Sequence, residues 1–295
     1  MRPLDLLLYA AVCLIWALNL IVSRVLFAEF GVTPIFYAAA RFLIVAAILF
    51  PLLRPLPKPL LPIIAVGFLM GCCHFGLMFL GLSHATSSSV SIVLQVAIPM
   101  TALLSVLLLG ERIGLSRGLG IALALGGVIL VMWNGDGTFV SLGLIFAFVS
   151  ALAISLGQVL LKRQGARIKP LTMQGWTAAV SGVPMLAYSL LAEPAPLGAA
   201  LGAGLPFFAG LAFSVVAVTL LATTAYLGLL QRYPASIIAP LGLMTPLMTV
   251  VMGVLLLGET FDTRMAIGGA VALLGLLLVL RQQAPRDAEQ PHEMT

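Results

Sequence analysis

The chain has 295 residues, of which 61% are hydrophobic and only 8% are charged, and its formal net charge is +5. A water-soluble domain carries about 25% charged residues, so this composition excludes a soluble fold and places most of the surface in lipid. The positive charge does not indicate nucleic-acid binding, because no basic patch is interleaved with stacking aromatic residues.

Ten apolar runs are each long enough, at about 20 residues, to cross a bilayer as a helix. Short connections containing Gly, Pro or charged residues separate them, as in the proline-rich segment 54–59. The chain is therefore predicted to be an all-α polytopic membrane protein, followed by a disordered cytoplasmic tail, 282–295. The predicted spans 1 to 10 cover residues 4–23, 33–53, 60–82, 86–109, 115–133, 140–161, 172–192, 205–230, 236–257 and 265–281.

The basic residues are distributed unevenly between the two ends of these spans. With a cytoplasmic N-terminus, only Arg24 and Arg264 fall on the outer side, and Arg41 lies within span 2. Cytoplasmic loops of membrane proteins are enriched in Lys and Arg, so both termini are predicted to be cytoplasmic. The other twelve basic residues fall on the inner side: Arg2, Arg54, Lys58, Arg112, Arg117, Lys162, Arg163, Arg167, Lys169, Arg232, Arg281 and Arg286.

The second half of the chain repeats features of the first. The segment Leu-Leu-Leu-Gly-Glu occurs at 107–111 and again at 255–259. An odd number of spans per repeat inverts the second copy, which predicts repeats over 1–134 and 135–281. The two glutamates, Glu111 inside and Glu259 outside, are predicted to be structural caps. Further matched pairs are Gly81 and Gly228, Pro99 and Pro246, Gly120 and Gly268, and Gly127 and Gly275.

These features resemble a known family. The ten spans, the paired Leu-Leu-Leu-Gly-Glu segments and the segment from Trp16 to Asn19 are similar to the drug/metabolite transporter superfamily, EamA type, over residues 5–281. Within it, the chain is most similar to bacterial exporters of aromatic and neutral amino acids. The resemblance implies two inverted five-helix repeats around a central cavity, spans 5 and 10 set apart from it, and a bacterial inner membrane.

Polar residues inside a bilayer are costly and tend to face the interior of a helix bundle. Eight spans carry polar stripes, whereas spans 5 and 10 carry small residues at Gly118, Ala122, Gly126, Gly268 and Ala272. Small residues allow close helix contact, so these two spans are predicted to form a scaffold or a weak homodimer contact. The candidate cavity residues are Trp16, Asn19, Tyr37, Arg41, His74, Met78, Ser91, Gln95, Gln158, Trp176, Thr223 and Tyr226.

Most of these candidates have a purely structural alternative. Arg41 binds a substrate carboxylate, or it caps backbone carbonyls or pairs with a loop acid. His74 titrates or donates to a substrate, or it closes an interhelical hydrogen bond. Asn19, Gln95 and Gln158 line the cavity, or they hold helices together.

Two prolines occupy matching positions within spans 4 and 9. Pro99 and Pro246 each remove a backbone hydrogen bond and kink a helix. Matching kinks in inverted halves predict hinges for alternating access, with static curvature around the cavity as the alternative. Trp176 lies close enough to a span end to be an interface anchor instead of a cavity residue.

The residue types also restrict the chemistry. No Asp or Glu falls at the middle of a span, so proton coupling through a carboxylate is not expected. Cys72, Cys73 and His74 are consecutive on one helix and cannot surround a metal ion by themselves, so neither a metal nor a cofactor is expected. Sequence motifs of intramembrane or soluble hydrolases are missing from the chain, so an enzyme is not expected.

Neutral amides, hydroxyls, Met and aromatic side chains suit a zwitterion with an apolar side chain. The predicted function is therefore facilitative export of aromatic and neutral amino acids and related small metabolites by alternating access. One alternative is efflux of drugs or lipophilic cations, which the missing acid disfavours. Another is a nucleotide-sugar or sugar-phosphate carrier, which would need more basic residues in the cavity than Arg41.

Overall fold

The computed structural model describes residues 1–54, 59–110, 113–133, 141–164, 168–233 and 235–281, and all regular elements in these ranges are helices. Nine of the described helices are long and apolar enough to span a bilayer, and two shorter segments make up a tenth span. The predicted all-α membrane fold is confirmed; Glu111 and the tail 282–295 lie outside the described residues. Helices α1 to α10 are Pro3–Ala28, Pro34–Leu53, Leu60–His84, Ser87–Leu109, Leu115–Met132, Leu142–Arg163, Pro170–Ala192, Leu205–Arg232, Ala235–Leu241 with Met244–Leu257, and Thr263–Arg281, and the short helix Pro196–Ala203 joins α7 to α8.

Eight of these helices form a closed ring. In order of contact around the ring they are α4, α6, α3, α7, α2, α8, α1 and α9, and α9 returns to α4. Exchanging α1–α4 with α6–α9 gives the same ring in the reverse direction. This symmetry of neighbours is consistent with two repeats of inverted orientation.

The two proline-containing helices are interrupted at matching places. Helix α4 is interrupted for two residues from Gln95, and α9 for two residues from Gly242. Each interruption begins four residues before a proline, Pro99 or Pro246, at the carbonyl that the missing N–H would have bonded. These carbonyls accept a hydrogen bond from the N–H three residues further on, at 3.2 and 3.1 Å. The regular hydrogen bonding is therefore interrupted at the predicted places in both helices.

Helices α3 and α8 each contain a π-helical stretch, Leu69–Cys73 and Ser214–Ala222. Shifting the first stretch along the sequence by the distance from Pro99 to Pro246 places it inside the second stretch. In α8 the Thr219 hydroxyl donates to the Ser214 carbonyl, five residues earlier, at 2.9 Å. Such stretches are rare and often lie at functional sites, so their matched occurrence directs attention to the ring interior between α3 and α8.

Helices α5 and α10 lie outside the ring, as the resemblance implied, and they pack against each other. Gly268 and Ala272 are buried in this contact, whereas Gly118 is half-buried, Ala122 and Gly126 are exposed, and all three face away from α10. A Cβ atom at Gly118 or Gly126 would meet no atom within 4 Å. The close approach to α10 is therefore made by a different face of α5, on which glycines are spaced seven residues apart. The glycines at the crossing are Gly120, Gly127, Gly268 and Gly275.

Candidate functional site

A line of buried polar side chains crosses the helix ring from α1 to α2. The Ser214 hydroxyl of α8 donates to Asn19 Oδ1 of α1 at 3.1 Å. One π-helical turn later, the Thr219 hydroxyl accepts from Arg41 of α2, at 3.1 Å from Nε and 2.9 Å from Nη2. Two predicted site residues, Asn19 and Arg41, are thus connected through the π-helical stretch of α8. We call these four residues the polar line.

Arg41 is the charged member of the polar line and is only 2% exposed. Its guanidinium carbon lies 5.0 Å from the ring centre of Phe75 and 5.9 Å from that of Phe42, which are cation–π distances. Nη1 has no hydrogen-bond partner, and within the described ranges no carboxylate lies at ion-pair distance from the guanidinium. The predicted pairing with a loop acid is therefore not formed among these residues.

His74 links α3 to α6 beside Arg41 and Phe75. Its Nδ1 lies 2.8 Å from the Ser150 hydroxyl and 3.2 Å from the Ser150 carbonyl oxygen. The same hydroxyl is 2.8 Å from the His74 carbonyl oxygen. The interhelical hydrogen bond, which was the structural alternative for His74, is thus present. Its ring packs edge-on against Phe75, with ring centres 4.8 Å apart.

Trp16 and Tyr226, both predicted site residues, contact each other directly between α1 and α8. Their rings are edge-to-face with centres 5.2 Å apart, and Tyr226 also packs against Tyr9 at 6.1 Å. Both residues are half-buried. Because Trp16 lies one turn from Asn19 on α1, this aromatic group borders the polar line.

Three predicted residues are buried in packing contacts. Tyr37 is fully buried, its hydroxyl donates to the Gly210 carbonyl at 2.9 Å, and its ring packs against other aromatic side chains. Met78 belongs to the same hydrophobic core. The Ser91 hydroxyl donates to the Ser88 carbonyl of its own helix at 2.8 Å. In this conformation these contacts are structural.

The remaining candidates lie apart from the polar line. Gln158 accepts from the Thr101 hydroxyl at 3.1 Å, Thr223 donates to a carbonyl of its own helix, and Gln95 is half-buried at the interruption of α4. Trp176 packs against a separate hydrophobic cluster formed between α3 and α7. Gln158 borders a cavity of about 200 Å³ between α4, α5 and α6, whose lining is Ile98, Thr101, Ala102, Ser105, Arg117, Gln158, Val159 and Lys162.

A larger cavity, of about 380 Å³, does not contain any predicted site residue. It is a crevice between α1 and α8 lined mainly by leucines and small residues, with Arg232 at one end. Leu8 and Leu221 in its lining are 41% and 61% exposed. The crevice therefore faces outward, and we do not assign it to the ring interior.

Glu259, between α9 and α10, caps the first turn of α4. Its carboxylate accepts from the backbone N–H groups of Ser87 and Ser88 at 2.6 and 3.0 Å, and from their hydroxyls at 2.8 and 2.5 Å. Negative charge is favourable at a helix N-terminus. The predicted role of Glu259 as a cap is thus confirmed, whereas Glu111 lies outside the described residues.

Other side chains tie helix ends together at both ends of the ring. Glu193, after α7, accepts from the N–H groups of Ile35 and Phe36 at the start of α2, at 2.8 and 2.9 Å. Arg24 of α1 donates to the Leu82 and Ser83 carbonyls at the end of α3, at 2.8 and 3.2 Å. At the opposite end, the Tyr233 hydroxyl donates to Asp5 at 2.6 Å.

Helix α10 has its own acidic cap. Asp262 Oδ1 accepts from the Met265 backbone N–H at 2.7 Å, and this bond lowers the pKa of the Asp262 carboxyl below its usual value. The described residues contain no cluster of three or more His, Cys, Asp or Glu side chains arranged to hold a metal ion. Asp5, Glu193, Glu259 and Asp262 therefore act as caps and ties at helix ends.

Sequence reasoning missed Ser214 and Ser150, the direct partners of Asn19 and His74. Isolated serines in an apolar run carry little signal, since they can bond to their own helix. No sequence signal distinguished Ser214 from other serines, because the π-helical turn that connects it to Thr219 is seen only in the structure.

Comparison with known proteins gives a consistent picture. The EamA-like transporter family matches the chain twice, over residues 4–133 and 141–281. A protein of Salmonella typhimurium named "Probable amino-acid metabolite efflux pump" is 27% identical over 280 residues, covering 91% of each chain. The Escherichia coli (strain K12) protein of the same name is 24% identical over 278 residues, covering 90% of this chain and 91% of its own.

A solved crystal structure has a similar fold. It superposes with a TM-score of 0.62, covers 98% of this chain and 100% of its own, and shares 19% sequence identity. At this identity the likeness concerns the fold alone.

Proposed function

We propose that this chain, which belongs to the EamA-like transporter family, exports aromatic and neutral amino acids and related small metabolites by alternating access. The chain is a multi-pass membrane transporter. The substrate class and the direction of transport are the proposal. The two bacterial relatives named as amino-acid metabolite efflux pumps support both.

The polar line is the observation that carries this proposal. Asn19 and Arg41 are almost fully buried inside a ring of apolar helices, although polar groups there cost free energy. An amide, two hydroxyls and one cation beside aromatic rings can bind the carboxylate and apolar side chain of an amino acid. Trp16 and Tyr226 border the line and would contact the apolar part.

The remaining candidate residues are proposed to belong to the pathway in other conformations. Gln95 and Pro99 lie at the interruption of α4, and Pro246 at that of α9. Bending at these two places would move the ends of α4 and α9 and expose the ring interior to each side in turn. The proposed pathway also includes Tyr37, His74, Met78, Ser91, Gln158, Trp176 and Thr223.

Transport is proposed to be downhill. The described part of the ring has no carboxylate in the polar line, so no acidic side chain there can relay a proton or bind a lipophilic cation. A single arginine also gives a poor site for the several negative charges of a sugar nucleotide.

We place the chain in the bacterial inner membrane with both termini in the cytoplasm, from the distribution of basic residues. The two inverted repeats are assigned to residues 1–134 and 135–281. The active unit is a monomer or a weak homodimer that meets through the outward faces of α5 and α10, where Gly118 and Gly126 are open.

The test is uptake into proteoliposomes that contain the purified protein. The panel is neutral amino acids, lipophilic amines and sugar phosphates, each measured with and without a pH gradient and against protein-free vesicles. We expect saturable uptake of aromatic and neutral amino acids that does not require the gradient.

A pair of variants connects the uptake to the polar line. Asn19→Leu removes the partner of Ser214. Thr224→Val instead changes an exposed residue of α8, the helix that carries Ser214. We expect the first to lower uptake about tenfold or more and the second to leave it unchanged. Saturable uptake of only amines or only sugar phosphates by the wild type would refute the proposed function.

A further inference from the structure

Arg41 has one edge of its guanidinium group unused. Thr219 accepts from the Nε and Nη2 edge, and Nη1 has no hydrogen-bond partner. A guanidinium has five N–H donors in a fixed fork, so the edge formed by Nη1 and Nη2 can still donate two parallel bonds. That geometry matches a carboxylate.

The surroundings of Arg41 are unfavourable for a cation that stays unpaired. The side chain is 2% exposed, and its neighbours Phe42 and Phe75 are apolar. Burying a charge is costly unless an opposite charge and hydrogen bonds compensate for it. Since the described residues provide no acid for Arg41, an anion from outside the chain is the natural partner.

The position of Arg41 lies on the proposed pathway. Its acceptor, Thr219, is in the π-helical stretch of α8, and Phe75 follows the π-helical stretch of α3 by two residues. The cation is thus held between the two irregular parts of the ring. By contrast, the polar line offers no acid for a substrate ammonium group, which can find only amide, carbonyl and hydroxyl oxygens and aromatic faces.

We propose that Arg41 is the carboxylate-binding residue of the pathway, and that the chain therefore carries apolar carboxylates lacking an α-amino group as well as amino acids. This rests on the proposed function, because it assigns the charged group of the substrate within the same site. The carboxylate is required for recognition and the amine is not.

Four compounds with the same phenyl side chain separate these requirements: phenylalanine, 3-phenylpropanoate, phenylalaninamide and phenethylamine. Uptake is measured in proteoliposomes at neutral pH, with protein-free vesicles correcting for passive entry. Binding to detergent-purified protein is measured by titration calorimetry. We expect the two carboxylates to bind and to be carried, and the amide and the amine to be at least about tenfold weaker.

Three variants test the role of Arg41. Arg41→Met removes the charge at similar length, and Arg41→Lys keeps the charge but loses the fork. Arg264→Met is the matched control, since this arginine lies at the start of α10 and pairs with Asp262. We expect Arg41→Met to lose both carboxylates, Arg41→Lys to be intermediate, and the control to match the wild type.

A second residue keeps the test informative if Arg41→Met does not fold. Thr219→Val leaves the cation in place but removes the hydroxyl that orients it, so the apparent Kd for both carboxylates should rise several-fold. Size-exclusion profiles and thermal midpoints establish that each variant is folded. Repeating the titrations over a range of chloride concentrations distinguishes a substrate carboxylate from an inorganic anion at Arg41.

The outcomes separate the two proposals. If the wild type carries phenylalanine and phenylalaninamide equally, or if Arg41→Met retains carboxylate transport, the inference fails and the proposed function stands. If chloride alone binds at Arg41 and carboxylates do not compete with it, the inference also fails. A wild type that carries only the amine, or none of the four, would overturn both proposals.

Discussion

Glu259 accepts four hydrogen bonds from two serines at the first turn of α4. Replacing it by Gln turns one acceptor into a donor that faces N–H and O–H groups. Glu259→Gln should therefore lower stability by about 1–3 kcal/mol. Thermal unfolding in detergent measures this as a lower midpoint. Glu29→Gln is the matched control, because Glu29 is an exposed carboxylate on the same side of the predicted membrane.

An unchanged midpoint for Glu259→Gln would show that the serine hydroxyls satisfy the end of α4 without the carboxylate.

Single residues also show where prediction from the sequence succeeded. Glu259 was predictable because a Gly-Glu pair between two apolar runs has few roles besides capping. Ser150 and Ser214 were not, because their roles depend on the rotation of two helices about their axes.

At the scale of single elements, the crossing of α5 and α10 depends on which glycine face is occupied. A Cβ atom at Gly127 would lie 2.8 Å from the Ala272 Cα, whereas one at Gly126 would meet nothing within 4 Å. Gly127→Ala should therefore destabilise the protein by about 1–3 kcal/mol, because backbone atoms cannot move aside easily. Gly126→Ala should be neutral in the same thermal unfolding measurement. Equal effects of the two substitutions would contradict this packing.

The interruptions of α4 and α9 make a kinetic prediction. Pro246→Ala restores an N–H to the carbonyl of Gly242, so α9 can become continuous and stiffer. If the interruption is a hinge, we expect the transport rate to fall several-fold while the Kd for substrate stays the same. Uptake kinetics and calorimetry measure the two quantities separately.

Pro184→Ala is the control for this hinge, because Pro184 lies inside α7, which has no interruption. A Pro246→Ala variant with wild-type turnover would favour static curvature over a hinge.

The positions of the interruptions could be predicted from the prolines in the sequence. The π-helical stretches could not, and each inserted residue rotates the rest of its helix by about 100° relative to a regular α-helix. Stripes of polar residues computed with one period therefore misplace Thr223 relative to Asn19.

At the scale of the whole molecule, the basic residues predict the orientation. A reporter that is active only in the cytoplasm should work when it is fused after residue 281. A reporter that is active only on the outer side should work when it is fused after Ala195, between α7 and α8. The opposite pattern would reverse every assignment of inner and outer ends. Replacing Arg163 and Lys169 together by Gln would be expected to weaken the orientation preference without changing the helices.

The general arrangement of the molecule could be predicted because it depends on local quantities. The lengths of apolar runs determined ten helices, and the lack of polar residues in spans 5 and 10 separated that pair from the other eight. The interior of the ring was less accessible to prediction. For Gln158 the sequence left two roles open, lining the cavity or holding helices together, and the structure shows a bond to Thr101 of α4, because a polar side chain can face a neighbouring helix as readily as a cavity.

The bonds made by Glu259, Arg24 and Glu193 have a further consequence for how the outer rim can move. They fasten α4 to the start of α10, α1 to α3, and α2 to the end of α7. If these bonds persist while the ring opens at its outer end, the two helices of each bonded pair must move together as one block. Opening must then occur at the contacts between blocks, which we call seams. A disulfide within one block would then leave the transport cycle intact, whereas a disulfide across a seam would stop it.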